Sequence, residues 1–223
     1  DEHLTCHVER IKKIEFSLRE SENKYRNLFK NAPVSLWEED CSKLKQYFDI
    51  HRKQGVNDFS KFFKSNPREV LHCASLIKVV DINDATIKLY EANSKKHFMH
   101  NIRRYFDKSA LSFFTQELIA MSKGRTFFSG ETTNITAKGN RLNIVLTWNV
   151  APGHEGTLSK VLVSIINITS QKKFEKTLEK AKNTLKHKYL NRTNELIASN
   201  EQLRAEVSQR KITEAALAES EKK

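Results

Sequence analysis

The sequence predicts an α+β fold: a five-stranded antiparallel sheet with helical cover, flanked by an N-terminal helix and a long C-terminal coiled-coil helix. Three observations carry this expectation. All six Gly and all three Pro fall between Pro33 and Gly156, so both ends lack the residues that interrupt helices. Between the ends, short β-branched runs alternate with helix-periodic segments and finish in three longer strand-like runs. Charged residues make up 30% of the chain against 38% hydrophobic, too much charge for one compact globule and the composition of long solvated helices.

In order along the chain, residues 1–30 place Val8, Ile11, Ile14, Leu18, Tyr25 and Leu28 at helical spacing, one apolar stripe that needs a partner. Residues 31–169 read as the folded core. Short strands are expected over 34–38 and 76–82, with a helical insertion over 41–75 whose Asn66-Pro67 marks a helix start. Helical periodicity resumes through Ala85, Ile87, Leu89 and Tyr90 and again over 110–121. Strands over 127–136 and 141–150 are joined by a turn at 137–140. In the second of them Leu142, Ile144, Leu146, Trp148 and Val150 alternate with Asn143, Thr147 and Asn149, which puts the asparagines on the face opposite Trp148. The last strand is expected over 158–168.

Residues 170–223 repeat apolar positions at Phe174, Leu178, Ala181, Leu185, Tyr189, Leu196, Leu203, Val207 and Leu217, with Asn200 in the same row. This is a heptad-like seam with a stutter at Leu185 and Tyr189. Such a helix is about 80 Å long, too long to fold back on a core of this size. The seam of Leu178, Leu185, Leu196, Asn200, Leu203 and Val207 therefore calls for a second copy, and the amide of Asn200 favours a parallel, in-register homodimer.

The net charge is +12, which raises a polyanion as partner. Between Ser170 and Asn194 eight Lys or Arg stand against Glu175 and Glu179, so half the excess is local. It reads as a solvated helix face, with a nucleic-acid contact as the alternative. No apolar run reaches the roughly 18 residues of a membrane span, so the segment is not expected to cross a membrane. Three widely separated cysteines, Cys6, Cys41 and Cys73, fit a reducing cytoplasm.

Residues 14–24 align without gaps on residues 213–223, matching at six of eleven positions, among them Glu20-Ser21-Glu22 and Glu219-Ser220-Glu221. The end of the chain thus reads as the start of a further module. The stretch Ser17 to Phe29 followed by Lys30-Asn31-Ala32-Pro33 resembles the helix that leads into PAS sensor domains of bacterial and archaeal signalling proteins. Asp81 to Tyr90 is similar to that family's second strand and following helix. Val163 to Glu175 is similar to its D-I-T-x-x-K-x-x-E exit, and Asn191 to Leu203 to the linker of sensor kinases. Two features depart from the pattern: Asn167 stands where the family has Asp, and the first two strands are separated by the insertion.

The resemblance implies a PAS-like sheet, homodimerisation, an output domain further along the same chain and a possible small-molecule ligand. No catalytic motif is present, so the segment is not expected to be an enzyme. Neither a haem set nor the flavin-photoreceptor cysteine motif occurs, and the cofactor stays unknown. The pairs His72-Cys73 and His97/His100 do not complete a metal-ligand set. Cavity candidates are Trp37, Asn83, Tyr90, Phe98, Phe106, Phe114, Leu146 and Trp148, with a plain apolar core as the other reading. Asn167 and Thr169 are the expected coupling point, Thr169 capping the output helix through its hydroxyl. Two further functions stay open, a purely structural dimerisation module and a basic-helix DNA-binding protein.

Overall fold

The computed structural model describes the backbone of residues 2–106 and 108–220, with side chains over 10–106 and 110–214. Val8 and Leu217 of the two stripes, Cys6 and the end of the internal repeat lie outside the described side chains. The chain divides into two compact units, one up to Thr169 and one from Ser170.

The first unit opens with α1 (Glu2–Asn31) and strand β1 (Ser35–Asp40). Three helices follow: α2 (Ser42–Lys53), α3 (Phe59–Ser65) and α4 (Pro67–Leu76). Asp58 starts α3 by accepting from Ser60 N at 2.9 Å and Lys61 N at 3.3 Å, while Pro67 supplies the preset φ of a first helical turn. Their inward faces bury Leu44, Tyr47, Phe48, Phe59, Phe63, Val70 and Cys73. The insertion thereby adds its own apolar layer to the core, with Phe48 and Phe59 edge-on at 5.0 Å.

Strand β2 (Lys78–Ile82) leads into α5 (Asp84–Leu89), α6 (Lys95–His100), a 3-10 turn (Ile102–Tyr105) and α7 (Lys108–Ser122). Neither α6 nor the 3-10 turn has a periodic signal in the sequence. Each is too short to show periodicity, and α6 depends on Ser94, whose hydroxyl accepts from His97 N at 3.1 Å. Strands β3 (Phe127–Ile135), β4 (Arg141–Val150) and β5 (Val161–Asn167) complete the sheet. The order is β2-β1-β5-β4-β3, antiparallel throughout. The predicted α+β class is the one observed.

Alternation in β4 is as the sequence predicts: Leu142, Ile144, Leu146, Trp148 and Val150 are buried, while Asn149 is exposed and Asn143 half-buried on the other face. Helix α7 lies so close to β3 that a Cβ on Gly130 would sit 2.6 Å from the Phe113 ring. Glycine is what permits this approach.

The second unit is a continuation of α8 (Thr169–Ser220), a single helix of 52 residues. Its apolar residues stay in solvent: Leu185 is 69% and Leu196 59% exposed, and Phe174, Leu178, Tyr189, Leu203 and Val207 are exposed as well. On α1, Ile11, Ile14, Phe16, Leu18 and Leu28 are likewise exposed. Among the described residues no helix is long and apolar enough to cross a membrane.

Candidate functional site

The interior is organised around one amide and one group of rings. Asn83 ends β2 and caps α5. Its Oδ1 accepts from Leu36 N at 3.0 Å and Thr86 N at 3.1 Å, and its Nδ2 donates to Val34 O at 2.8 Å. Ser35 Oγ and Thr86 Oγ1, 2.8 Å apart, extend this buried network, and Trp37 Nε1 donates to Ser35 Oγ at 3.1 Å. Asn83 was a cavity candidate; its amide is consumed in joining β1 to α5 and offers a ligand nothing.

Trp37, Tyr90, Phe98 and Tyr105 pack ring against ring. Phe98 lies edge-on to Trp37 at 5.4 Å and 5.0 Å from Tyr90, and Tyr105 is 4.4 Å from Phe98. These separations are direct contact. Asn134 Nδ2 donates to Tyr90 Oη at 2.6 Å, and burial pushes the Tyr90 hydroxyl up. Asn134 Oδ1 is buried without a partner among the described residues.

Of the eight cavity candidates the structure therefore brings together Trp37, Tyr90 and Phe98. Trp148 lies two strands from Trp37, both facing Val163, and stacks on Phe128 at 5.9 Å. Leu146 is buried beside it on β4 and Phe114 is half-buried on α7. Phe106 is 40% exposed. It does not line the interior, because its backbone bridges to Asn134 as an isolated extended residue and turns its ring outward.

Among the described residues two surface clefts stand out, and none of the eight candidates lines either. One, of about 460 Å³, lies between the start of α2, the α4–β2 joint and Met99, His100 and Ile102. The other, of about 740 Å³, lies between Tyr25, Arg26 and Phe29 of α1 and Asp81, Asp84 and Lys95. Beside the second, Tyr25 Oη donates to Glu38 Oε2 at 3.0 Å, and burial followed by this carboxylate pushes the phenol up to about 12. Lys160 reaches Glu38 at 3.5 Å and lies over the Tyr25 ring, so α1 is tied to the β1–β5 face by a hydrogen bond and a cation–π contact.

Sequence reasoning missed two interior carboxyls. Glu117 is 8% exposed on α7 and Glu39 is half-buried at the end of β1. The signal was present: Ala110, Phe113, Glu117 and Met121 form one stripe at spacings of three and four, so an acid stands in an otherwise apolar row. Cys41 and Cys73 are free, buried thiols, both pushed up chiefly by burial. Among the described residues no three His, Cys, Asp or Glu side chains converge as metal ligands.

At the exit, Asn167 Oδ1 accepts from Thr169 N at 2.9 Å. Thr169 Oγ1 accepts from Asn143 N at 2.9 Å, and Ile168 N donates to Asn143 O at 2.8 Å. The expected roles are thus exchanged. Asn167 satisfies the first free amide of α8, and the Thr169 hydroxyl, which was to cap the helix, pins the helix start to β4. The physical reason is reach, since the β4–β5 ladder brings Asn143 beside residues 167–169.

No protein-family model matches the chain and no curated protein matches it. Solved structures do. The core, a five-stranded antiparallel sheet in the order β2-β1-β5-β4-β3, is similar to solved PAS and LOV domains. A domain of a sensory box sensor histidine kinase/response regulator from Geobacter sulfurreducens is 15% identical with a TM-score of 0.42, over 66% of this chain and 95% of that one. The PAS domain of a Colwellia psychrerythraea protein is 13% identical with a TM-score of 0.44, over 66% and 97%. A Rhodobacter sphaeroides LOV protein is 15% identical with a TM-score of 0.44, over 68% of each chain. Identities this low transfer no ligand and no residue role.

Proposed function

We propose that the chain is a sensory and dimerisation module of a signal-transduction protein, itself non-catalytic. The PAS-like core responds to a ligand or a neighbouring domain, and the response leaves through Asn167, Ile168 and Thr169 into α8. The observation that carries this reading is the double attachment of the α8 start. Ile168 and Thr169 both bond to the backbone of Asn143, so a shift between β4 and β5 displaces the first turn of the helix.

Dimerisation is supported by the row of exposed apolar residues on α8, which a single copy leaves in water. A parallel pair of α8 helices buries that row and sets Asn200 opposite its own copy. An output domain further along the chain and a cytoplasmic setting complete the proposal. Coupling of about 1 to 3 kcal/mol is the usual size of such a bias, and the stutter at Leu185 and Tyr189 locally changes the winding of the seam that receives it.

Sedimentation of the chain at tens of micromolar tests the assembly. A dimer is the expected result, and a monomer refutes the reading. The basic stretch from Lys180 to Arg192 remains the ground for a nucleic-acid contact; its attraction is expected to be weak and to fade with salt.

A further inference from the structure

The insertion leaves the sheet after Asp40 and returns to it at Lys78, and these two residues stand opposite one another where the pairing of β1 with β2 ends. Its exit and its return are therefore neighbours, although three helices lie between them. The cleft of about 460 Å³ opens at this junction, and α6 and the 3-10 turn contribute to it from the core. None of the rings of Trp37, Tyr90 and Phe98 lines it, so it is a place of its own outside the ring-filled interior.

The wall of the cleft is apolar. Leu76, Ile77, Val79, Met99 and Ile102 line it, and each packs against the core while staying only half-buried. Sites for small ligands are mostly apolar clefts of about 300 to 1,000 Å³ with a few polar groups to fix orientation. This cleft has that size and that wall.

The rim carries charge of one sign in excess. Lys43 and Lys78 line it, are exposed and close no ion pair among the described residues. Asp40 is the one acid of the lining, and its charge is shared between both lysines. Two cations against one acid leave the rim positive. Two of the neutral groups are engaged already: Ser75 Oγ donates to His72 O at 2.6 Å, and His100 Nδ1 donates to Lys96 O at 2.8 Å. A polyol therefore finds few partners here, whereas one anionic group finds two ammonium groups with three donors each.

We propose that this cleft binds a medium-chain monocarboxylate, its tail along Ile77, Val79, Met99 and Ile102 and its carboxylate taken by Lys43 and Lys78. Bound there, the ligand joins the exit of the insertion to its return and to α6. The site rests on the cleft alone and stands whether or not the chain relays a signal.

The test titrates the whole chain with decanoate, below the concentration at which it forms micelles, and follows assigned methyl and amide resonances. Saturable binding of one decanoate per chain is expected, with shifts at the methyls of Ile77, Met99 and Ile102 and at the amides of Lys43 and Lys78. Affinity is expected to rise about two- to fourfold for each methylene from hexanoate to decanoate. Decyltrimethylammonium, with the same tail and the opposite charge, is expected to bind at least about fivefold more weakly, and Lys43→Gln/Lys78→Gln, which removes both charges, to weaken decanoate by about three- to tenfold. Absence of saturable binding overturns the site, as do shifts confined to the exposed leucines of α8, equal affinity for the two head groups, or unchanged affinity in the double variant. Attachment to vesicles containing anionic lipid without binding of free decanoate also overturns it, and makes the apolar wall a membrane contact. If the double variant does not fold, the two head groups compared on the wild type decide whether the rim reads charge.

Discussion

The backbone N–H of Asn143 donates to the hydroxyl of Thr169 at 2.9 Å, so the first residue of a 52-residue helix is held by a strand of the sheet. The same strand residue accepts from Ile168 N at 2.8 Å. Two bonds to one residue make the start of α8 follow β4, and Asn167 satisfies the helix amide that Thr169 would otherwise leave free.

Thr169→Ala removes the bond from Asn143 N and leaves the amide cap of Asn167 intact. A hydrogen bond of this kind contributes about 0.5 to 1.5 kcal/mol, and solvent near the half-buried hydroxyl holds the loss at the low end. Thr169→Ser retains the bond. Amide hydrogen exchange is expected to accelerate at Asn143 and in the first turn of α8 in the alanine variant and to be unchanged in the serine variant, with the melting temperature of the core only modestly lower.

Asn83→Ala is expected to be far more costly. It leaves Leu36 N and Val34 O without that side-chain partner and Thr86 N with only its 3.2 Å bond to the Asn83 carbonyl, and it removes a side-chain helix cap. Unsatisfied buried groups cost about 1 to 3 kcal/mol each, so a loss of about 3 kcal/mol or more in urea denaturation is expected. Asn83→Asp keeps the acceptor but loses the donor to Val34 O and buries a charge, and is expected to be destabilised as well.

Gly130→Ala probes the closeness of α7 and β3. The added methyl meets the Phe113 ring at 2.6 Å, and Phe113 cannot retreat because it packs edge-on against Phe128 at 5.5 Å. Overpacking of this kind costs about 1 to 3 kcal/mol. Combining it with Phe113→Leu is expected to recover part of that loss, since the two positions share one contact and are not additive.

What was legible in the sequence followed from periodicity and turn chemistry. The alternation in β4 identified Leu142 to Val150 and their outward asparagines, because strand parity is a local property. Proline and glycine marked the limits of the core for the same reason. The roles of Asn83 and Thr169 were not legible as such. Each depends on a strand far away in sequence, Asn83 on β1 and Thr169 on β4, and only the closed sheet brings those backbones within reach. Phe106 shows the opposite failure, since its composition suits a core and a single extended residue turns it outward. Glu117 lies between these cases: it stands out as an acid in an apolar stripe, but only the closed fold buries it on α7.

The last prediction concerns the seam. Leu185 and Leu196 are more than half exposed on α8, and burying a leucine against a partner contributes about 1.5 to 3 kcal/mol per side chain. Leu185→Asp/Leu196→Asp places four carboxylates in the interface of a parallel pair, two from each copy. It is expected to abolish the dimer in sedimentation at tens of micromolar. Because both residues belong to the unit from Ser170 onward, the melting of the core is expected to stay near its wild-type value. Asn200→Leu works in the opposite sense. A buried amide lowers the stability of a seam while specifying its register and number of strands, so the leucine variant is expected to associate more tightly and to populate higher or out-of-register assemblies. If the aspartate variant remains dimeric, α8 is not the seam, and the exposed row of Ile11, Ile14 and Leu18 on α1 becomes the surface that holds the copies together.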